Sequence, residues 1–518
     1  MKTKTPVTWA AALLGCHLAL TSTIRAEDWP QWGGNDPGRN MMSRAKGIPD
    51  SFEPGKMKAG TEEVDLATTK NVKWVAKLGS QSYGNPTVAV GKVFVGTNND
   101  SPRDPQHKGD RSVLMTFDEK TGNFLWQFVV PKLASGKVND WESLGLLSSP
   151  TVEGDRLYLT TSRCEIVCLD VNGMANGNDG TFKDEAQYVA GPGKPKVTIG
   201  PKDADILWRY DMMDELGVFP HNASNCSVLL VDGKVFACTS NGQDWTHVNI
   251  PSPNSPSFIA LDQATGAFVG EDDAKIGARI FHGQWTSPSL AVVNGQKQIL
   301  FGGGDGFCYA FDPTPVKEGD GSFLKKIWWA DCNPPDYRVK DGKPIKYPHA
   351  SGPSEINATP VYWHGKVYVA IGQDPEHGEG IGNLVCLDPT QKGDITKTGI
   401  VWQYKGIHRS ISTVAISDDG LLFVGDFSGF VHCLDAATGK LNWVHDMKSH
   451  IWGSPMLADG KVYVGSEDGT FAIFAASKDK KVISQVDMPA PVYSTPIIAN
   501  GVLYVATTTH LYAIEQKK

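Results

Sequence analysis

Ten side chains of the kinds that bind small polar molecules stand in segments that come just before apolar runs of this 518-residue chain. They are His221, Asn222, His282, Gln284, Trp285, Glu355, His408, Arg409, His450 and Trp452. Imidazole, amide, carboxylate and guanidinium groups supply hydrogen bonds, and indole rings stack on flat ligands. If these segments meet at one mouth, the set predicts a site for a planar or sugar-like polar ligand. The alternative is that the side chains only cap strand ends, which suits one histidine better than four in equivalent positions.

Motifs for catalysis or metal binding are not recognisable in this sequence. Zinc-type histidine spacing, a phosphate-binding glycine loop followed by a helix, and a G-x-S-x-G elbow are all absent from it. Residues 170–180 have the Asp, Asn and Gly composition of calcium loops, but Met174 interrupts the ligand spacing and an ordinary turn is preferred. We therefore assign no catalytic residue and no metal site from the sequence.

The elements that must position these side chains are most evident in residues 420–501, where one pattern occurs twice. Four apolar runs within about forty residues, separated by turn residues, predict a four-stranded antiparallel blade of a β-propeller. The turn glycine of the pattern recurs at Gly91, Gly154, Gly233, Gly295, Gly365, Gly420, Gly460 and Gly501. The sequence thus predicts an all-β fold, an eight-bladed β-propeller with insertions in its earlier blades.

The last repeat reaches the end of the sequence after only three strands. Residues 71–79 contain Trp74, which matches the tryptophan of the fourth strand in five other repeats: Trp126, Trp208, Trp328, Trp402 and Trp443. We therefore expect the strand around Trp74 to complete the last blade as its outermost strand. That pairing would cover an exposed sheet edge and join the two ends of the propeller.

The N-terminal residues have the features of an export signal. Lys2 and Lys4 precede an apolar run that is too short to span a bilayer, and cleavage is expected near Ala26. Cleavage and lipid attachment at Cys16 is the alternative. The domains predicted are a signal peptide at 1–26, a strap at 27–70 and the propeller at 71–518, giving a periplasmic or secreted protein without a membrane span, and a monomer. The net charge of −8 argues against nucleic acid as a partner.

The repeat ends in a pattern, x-L-D-x-x-T-G-x-x-x-W, that is clearest at residues 433–443. It resembles the repeat of the pyrroloquinoline quinone (PQQ) enzyme family, whose eight-bladed propeller is shared by quinoprotein alcohol dehydrogenases and the assembly lipoprotein BamB. The resemblance covers residues 71–518 and implies the fold. It leaves two functions open: a PQQ-dependent oxidoreductase of alcohols or sugars, or a non-catalytic scaffold that binds another envelope protein.

The resemblance also implies where a cofactor would lie. In the dehydrogenases the quinone lies on the propeller axis between a tryptophan and a ring made by two adjacent bonded cysteines, beside a calcium held by Glu and Asn. Residues of the matching types here are Trp285, Trp452, Glu142, Glu355, Asn222 and Asn357. The sequence has no adjacent cysteine pair and no C-x-x-C-H haem motif. PQQ with calcium is therefore left as an open question.

The cysteines follow the repeat. Cys168, Cys386 and Cys433 each stand two residues before an Asp, in a position that favours a small buried residue. Cys226 and Cys238 flank the turn at Asp232 and Gly233, so either a disulfide or two free thiols is expected there.

Overall fold

The structure, a computed structural model, describes residue 1, residues 27–377 and residues 380–516. Eight antiparallel sheets follow one another along the chain, and this confirms the predicted eight-bladed propeller. The predicted export signal at 1–26 lies outside the described residues apart from Met1, and it stays a prediction.

Each blade is a meander whose first strand is innermost. The strands of blade 1 are Thr87–Ala89, Lys92–Asn98, Arg111–Asp118 and Phe124–Pro131. Those of blade 2 are Thr151–Glu153, Arg156–Thr160, Glu165–Asp170 and Ile206–Asp211. Those of blade 3 are Leu229–Val231, Lys234–Cys238, Phe258–Asp262 and Phe268–Asp272. Those of blade 4 are Ser289–Val293, Gln296–Gly302, Phe307–Phe311 and Lys326–Asp331.

The connections become short from blade 6 onwards. The strands of blade 5 are Val361–Trp363, Lys366–Ile371, Asn383–Leu387 and Ile400–Tyr404. Those of blade 6 are Ala415–Ile416, Leu421–Gly425, Phe430–Asp435 and Leu441–Asp446. Those of blade 7 are Met456–Ala458, Lys461–Gly465, Thr470–Ala475 and Val482–Asp487. Those of blade 8 are Ile497–Ala499, Val502–Ala506, His510–Ile514 and Val72–Lys77.

Insertions add elements that the repeat does not predict. Gly321–Leu324 pairs in parallel with the outer strand of blade 3 and carries Val316–Glu318, while Gly393–Asp394 pairs in parallel with the outer strand of blade 4. Two-residue hairpins form at Lys56–Met57 with Val64–Asp65 and at Val339–Lys340 with Lys343–Pro344. The α-helices are Glu185–Ala190, Met212–Leu216 and Pro335–Arg338. The 3-10 helices are Leu66–Thr68, Gly136–Val138, Gly173–Asn176 and Ile276–Arg279.

The repeated glycines occupy the turns between the first and second strands. All eight have a positive φ, between 62° and 85°, which is why the pattern requires glycine there. In six blades the residue before the glycine also has a positive φ, which is the geometry of a type I′ hairpin turn. This turn matches the twist of the two strands and sets their register.

The L-D-x-x-T-G-x-x-x-W pattern has a direct structural cause. Asp435 accepts hydrogen bonds from the backbone N–H of Thr438, at 3.0 Å, and from its hydroxyl, at 2.9 Å, and so folds the turn before the outer strand. Gly439, at φ +70°, then lies against the ring of Trp402 in the preceding blade. Asp262, Thr265 and Gly266 repeat this arrangement on Trp208. The pattern therefore encodes both a turn and a contact between blades.

Gly439→Ala is expected to lower the free energy of unfolding by about 2–4 kcal/mol. Its Cβ would lie 2.6 Å from the Trp402 ring and would also require alanine at a positive φ. Gly460→Ala is the matched control, because Gly460 has φ +68° but no atom within 4 Å of such a Cβ. Denaturant unfolding of both variants separates the cost of the contact with the Trp402 ring from the cost of placing alanine at a positive φ. Equal losses would show that the contact with the tryptophan contributes nothing.

The strand Val72–Lys77 pairs antiparallel with His510–Ile514, so strands from both ends of the chain form blade 8. Trp74 lies opposite Ala513, is 4 % exposed, and donates from Nε1 to the carbonyl of Glu119 at 3.0 Å. Gly122 of blade 1 packs on its ring. This is the strand pairing that the sequence predicts.

Residues 27–43 cross the propeller axis and bond in or beside the innermost strand of every blade. The blade residues contacted are Val88, Val152, Val228, Leu290, Tyr362, Ile416, Leu457 and Asn500. Trp29 and Trp32 of this segment are 2 % and 8 % exposed. The strap therefore acts as a plug that closes one end of the channel.

All eight cysteines of the described residues are buried and free. Cys226 and Cys238 are neighbours, but the backbone N–H of Cys238 donates to the Cys226 sulfur at 3.2 Å instead of a disulfide joining them. Of the two expectations for this pair, the structure has the free thiols.

Candidate ligand-binding site at the axial mouth

A cavity of about 250 Å³ lies on the propeller axis, at the end opposite the glycine turns that join the first and second strands of each blade. Its walls come from the segments just before the innermost strand in all eight blades, and Trp32 of the strap lines it as well. Trp32 forms the floor of the cavity, and its indole N–H donates to the Thr359 hydroxyl at 3.0 Å, which fixes the position of the ring. The cavity is therefore open at one end of the channel only.

Aromatic rings form much of the lining. Tyr83 and Tyr493 stack with centroids 4.6 Å apart and planes at 8°, and Trp452 meets both edge-on at 5.7 and 5.4 Å. The Trp452 indole donates to Glu467 Oε2 at 2.8 Å, while that of Trp285 donates to the carbonyl of His221 at 3.3 Å. These hydrogen bonds fix the rings in place, which favours stacking with a ligand over collapse into the cavity.

Carboxamides alternate with these rings. Asn222, Asn225 and Asn357 line the cavity, and the amide oxygen of each is buried without a hydrogen-bond partner among the described residues. Buried polar atoms are nearly always paired in folded proteins. Three unpaired oxygens in the residues of one lining therefore leave hydrogen-bonding capacity that rotation of the amides would turn towards a polar ligand.

Two of the predicted histidines lie behind the lining. The Nε2 atoms of His221 and His282 are 2.9 Å apart, and both side chains are fully buried. Burial lowers the pKa of His221 to about 4, against a raising contribution from its hydrogen bond to Gln243, and lowers the pKa of His282 well below its usual value. Both rings are thus neutral at physiological pH.

Glu355 and Gln284 are buried beside this pair. Glu355 accepts a hydrogen bond from Asn357 at 2.8 Å, and burial followed by the nearby charge of Asp374 raises its pKa well above the usual value. Gln284 donates to the carbonyl of Asn241 and the hydroxyl of Ser257, at 3.0 and 2.9 Å. Gln284 therefore holds two loops together, while Glu355 orients a lining amide.

The structure places His408, Arg409 and His450 outside the cavity lining. His408 Nδ1 lies 3.0 Å from Asp426 Oδ2 with half its side chain exposed, and His450 stacks on Phe427 at 4.4 Å. The guanidinium of Arg409 lies 4.4 Å from the ring centroid of Phe427 and donates to the carbonyl of Asp374 at 2.9 Å. These three side chains support the loops around the mouth.

Sequence reasoning missed Tyr83, Tyr493 and Trp141, which also line the cavity. A signal for two of them is present, because YGNP at 83–86 and YSTP at 493–496 have the aromatic-x-x-Pro spacing of WTSP at 285–288 and WGSP at 452–455. It also missed His247, Asp374, His377 and Tyr347, which surround His282. These four come from loops of three different blades, so no local spacing identifies them.

The residues present do not fit PQQ with calcium. PQQ is a tricarboxylate, and within the described part of the chain the lining has no cationic side chain and one carboxylate, Glu376. Glu142, a candidate calcium ligand, is instead exposed and paired with Lys137 at 2.9 Å. The adjacent cysteines that would cover the quinone are absent from the sequence.

The comparisons with known proteins agree with the fold. A family model described as the outer membrane protein assembly factor BamB matches residues 60–179 and 382–480. Over these two segments the chain is similar to propellers of the PQQ-repeat type. No curated protein matches this propeller. BamB from Moraxella catarrhalis is similar at 14% identity and a TM-score of 0.50, with 86% of this chain and 97% of that one covered.

A second similar solved structure is that of an alcohol dehydrogenase. Quinohemoprotein alcohol dehydrogenase from Comamonas testosteroni has 14% identity and a TM-score of 0.48, with 95% of this chain and 81% of that one covered. At this level of identity, the likeness between this chain and solved structures extends to the fold alone. Among the helices that the structure describes, none combines the length and apolar character needed to cross a bilayer.

Proposed function

We propose that this protein is exported and binds an uncharged, ring-shaped polar molecule of the sugar class in its axial cavity. The observation that carries the proposal is the combination of fixed aromatic rings with unpaired amide oxygens around one closed-ended cavity. Sugars present apolar ring faces and polar edges, and this pairing of groups suits both. Export rests on the basic, apolar and small-residue pattern of residues 1–26.

The size and charge of the cavity limit the ligand further. Its 250 Å³ is below the 300–1,000 Å³ that is typical for drug-sized ligands, so it suits a molecule of about one or two rings. The single carboxylate in the described lining, Glu376, disfavours anions such as sugar phosphates or a tricarboxylate quinone. A neutral monosaccharide or disaccharide end group is therefore the class we propose.

A glycan array followed by calorimetric titration of the best-bound sugar tests this proposal. Trp452→Ala and Trp285→Ala are each expected to weaken binding roughly tenfold or more, because each removes a stacking surface. Trp363→Ala is the matched control, since Trp363 stacks on His364 at the opposite end of the channel. Sugar affinity that is equal in all three variants would contradict binding in the cavity.

A second function, as a scaffold for an envelope protein, is supported by the exposed rim of the same mouth. Trp245 and Val248 are 52% and 77% exposed on the loop between the second and third strands of blade 3. Exposed large apolar side chains of this kind often mark protein-binding surfaces. If the scaffold function is correct, Trp245→Ala would remove a stable envelope partner from the purified protein and leave sugar binding unchanged.

A further inference from the structure

We infer that this protein has a binding site for a divalent transition-metal ion, formed by His221, His247, His282 and His377, with Asp374 as the carboxylate that orients two of the rings. The proposal does not depend on sugar binding. Ligand atoms of His221, His247 and His282 all lie within 4.8 Å of one another, and the same holds for His282, Asp374 and His377. Donors bound to one ion at 2.0–2.2 Å are separated by about 3–4 Å, so small side-chain movements would complete the site.

The hydrogen bonds on the outer side of the cluster prepare the rings for an ion. Gln243 contributes a backbone carbonyl 2.7 Å from His221 Nδ1, and because a carbonyl only accepts, this nitrogen carries the proton. His377 Nδ1 lies 2.8 Å from Asp374 Oδ1 in the same kind of contact. In the neutral form of each ring, Nε2 is therefore the unprotonated nitrogen. Backbone-carbonyl and carboxylate partners of this kind orient most metal-binding histidines.

His282 supplies an independent indication. Its Nδ1 is buried without a hydrogen-bond partner, 3.8 Å from Asp374 Oδ2. If its Nε2 donates to His221 Nε2, then its Nδ1 lone pair faces a carboxylate, which is unfavourable. An ion bound by the Nε2 atoms of His221 and His282 would leave the proton of His282 on Nδ1, where it faces Asp374 Oδ2, and would also balance the charge of Asp374. Tyr347 donates a hydrogen bond to Asp374 Oδ2, which fixes the carboxylate in this position.

The fold brings the ligands together from separate blades. His221 and His282 precede the innermost strands of blades 3 and 4, while His247 and His377 lie in inserted loops of blades 3 and 5. The His247 ring stacks on His282 at 5.2 Å and meets His377 at 4.5 Å. Four imidazoles favour zinc, copper or nickel over calcium or magnesium, which prefer oxygen ligands.

The test is titration of the full-length exported protein, made without a histidine tag and treated with a chelator, with Zn²⁺ alone. We expect one ion per chain by calorimetry and by metal analysis. His247→Ala and His377→Ala should each weaken zinc binding roughly 100-fold, because each removes a donor. Both residues are only partly buried, so these variants keep the buried His221 and His282 pair and are expected to fold, which circular dichroism checks.

The matched control is His364→Ala, at the far end of the channel, which should bind zinc as the wild type does. Cobalt substitution gives a second readout, because nitrogen ligation produces visible d–d absorption that the two variants should lose. The proposal is overturned if the wild type takes up no zinc, or if His247→Ala and His377→Ala bind zinc as tightly as His364→Ala does.

Discussion

Arg39→Met is expected to lower the free energy of unfolding by about 3–5 kcal/mol. Arg39 is fully buried on the propeller axis. It donates to the carbonyls of Pro288 and Val228 at 3.1 and 2.8 Å, and also to that of Trp32. Burial lowers its pKa to about 10, so it is still charged at neutral pH. Methionine keeps the apolar stem but leaves the buried carbonyls of Pro288 and Trp32 without a donor, while that of Val228 keeps the Thr151 hydroxyl at 2.7 Å.

Arg44→Met is the control for this prediction. Arg44 belongs to the same strap, but it is exposed and its ion pair with Asp418, at 3.1 Å, is on the surface. Such pairs contribute about 0–1 kcal/mol. Urea unfolding of both variants measures the difference. A loss of less than about 1 kcal/mol for Arg39→Met would mean that the strap is not an integral part of the propeller.

Trp74→Ala is expected to lower the free energy of unfolding by about 3–5 kcal/mol. It removes a buried indole from the strand Val72–Lys77, which completes blade 8 by pairing with His510–Ile514. The indole packs on Gly122 of blade 1 and contacts Tyr504 of blade 8 at 5.9 Å between centroids. Its loss therefore weakens the contact between the first and last blades. Urea unfolding is again the measurement.

The comparison for Trp74 is Trp443→Ala, in the same position of blade 6. Trp443 is 6% exposed and donates to the carbonyl of Ser477 at 2.9 Å, so its surroundings closely match those of Trp74. Equal losses would mean that the N-terminal strand stabilises blade 8 as fully as a strand within one repeat. A large loss for Trp443→Ala with little loss for Trp74→Ala would contradict the importance of that pairing.

The blades could be predicted from the sequence because the features that form them are local. A glycine at positive φ, an Asp–Thr turn and an outer-strand tryptophan each act within a few residues, so their repetition along the chain is visible. The site was predictable only in part. Trp285 and Trp452 could be found because they stand three residues before a repeated Pro, as do Tyr83 and Tyr493.

The histidine cluster could not be found in this way. His247 and His377 belong to inserted loops of different lengths, and their meeting with His282 depends on how blades 3, 4 and 5 fold towards the axis. The extra strand Gly321–Leu324 on blade 3 is a similar case, since the insertion containing it has no counterpart in the other repeats. Contacts that depend on insertions in several blades leave no regular pattern in a single sequence.

The most direct test of the proposed function is a crystal structure of the protein soaked with the sugar selected by the glycan array. We predict electron density for one sugar ring on the propeller axis, against Trp285 or Trp452 and within hydrogen-bond distance of Asn222, Asn225 or Asn357. Density for the sugar only on the outer rim, with ordered water alone in the axial cavity, would contradict it.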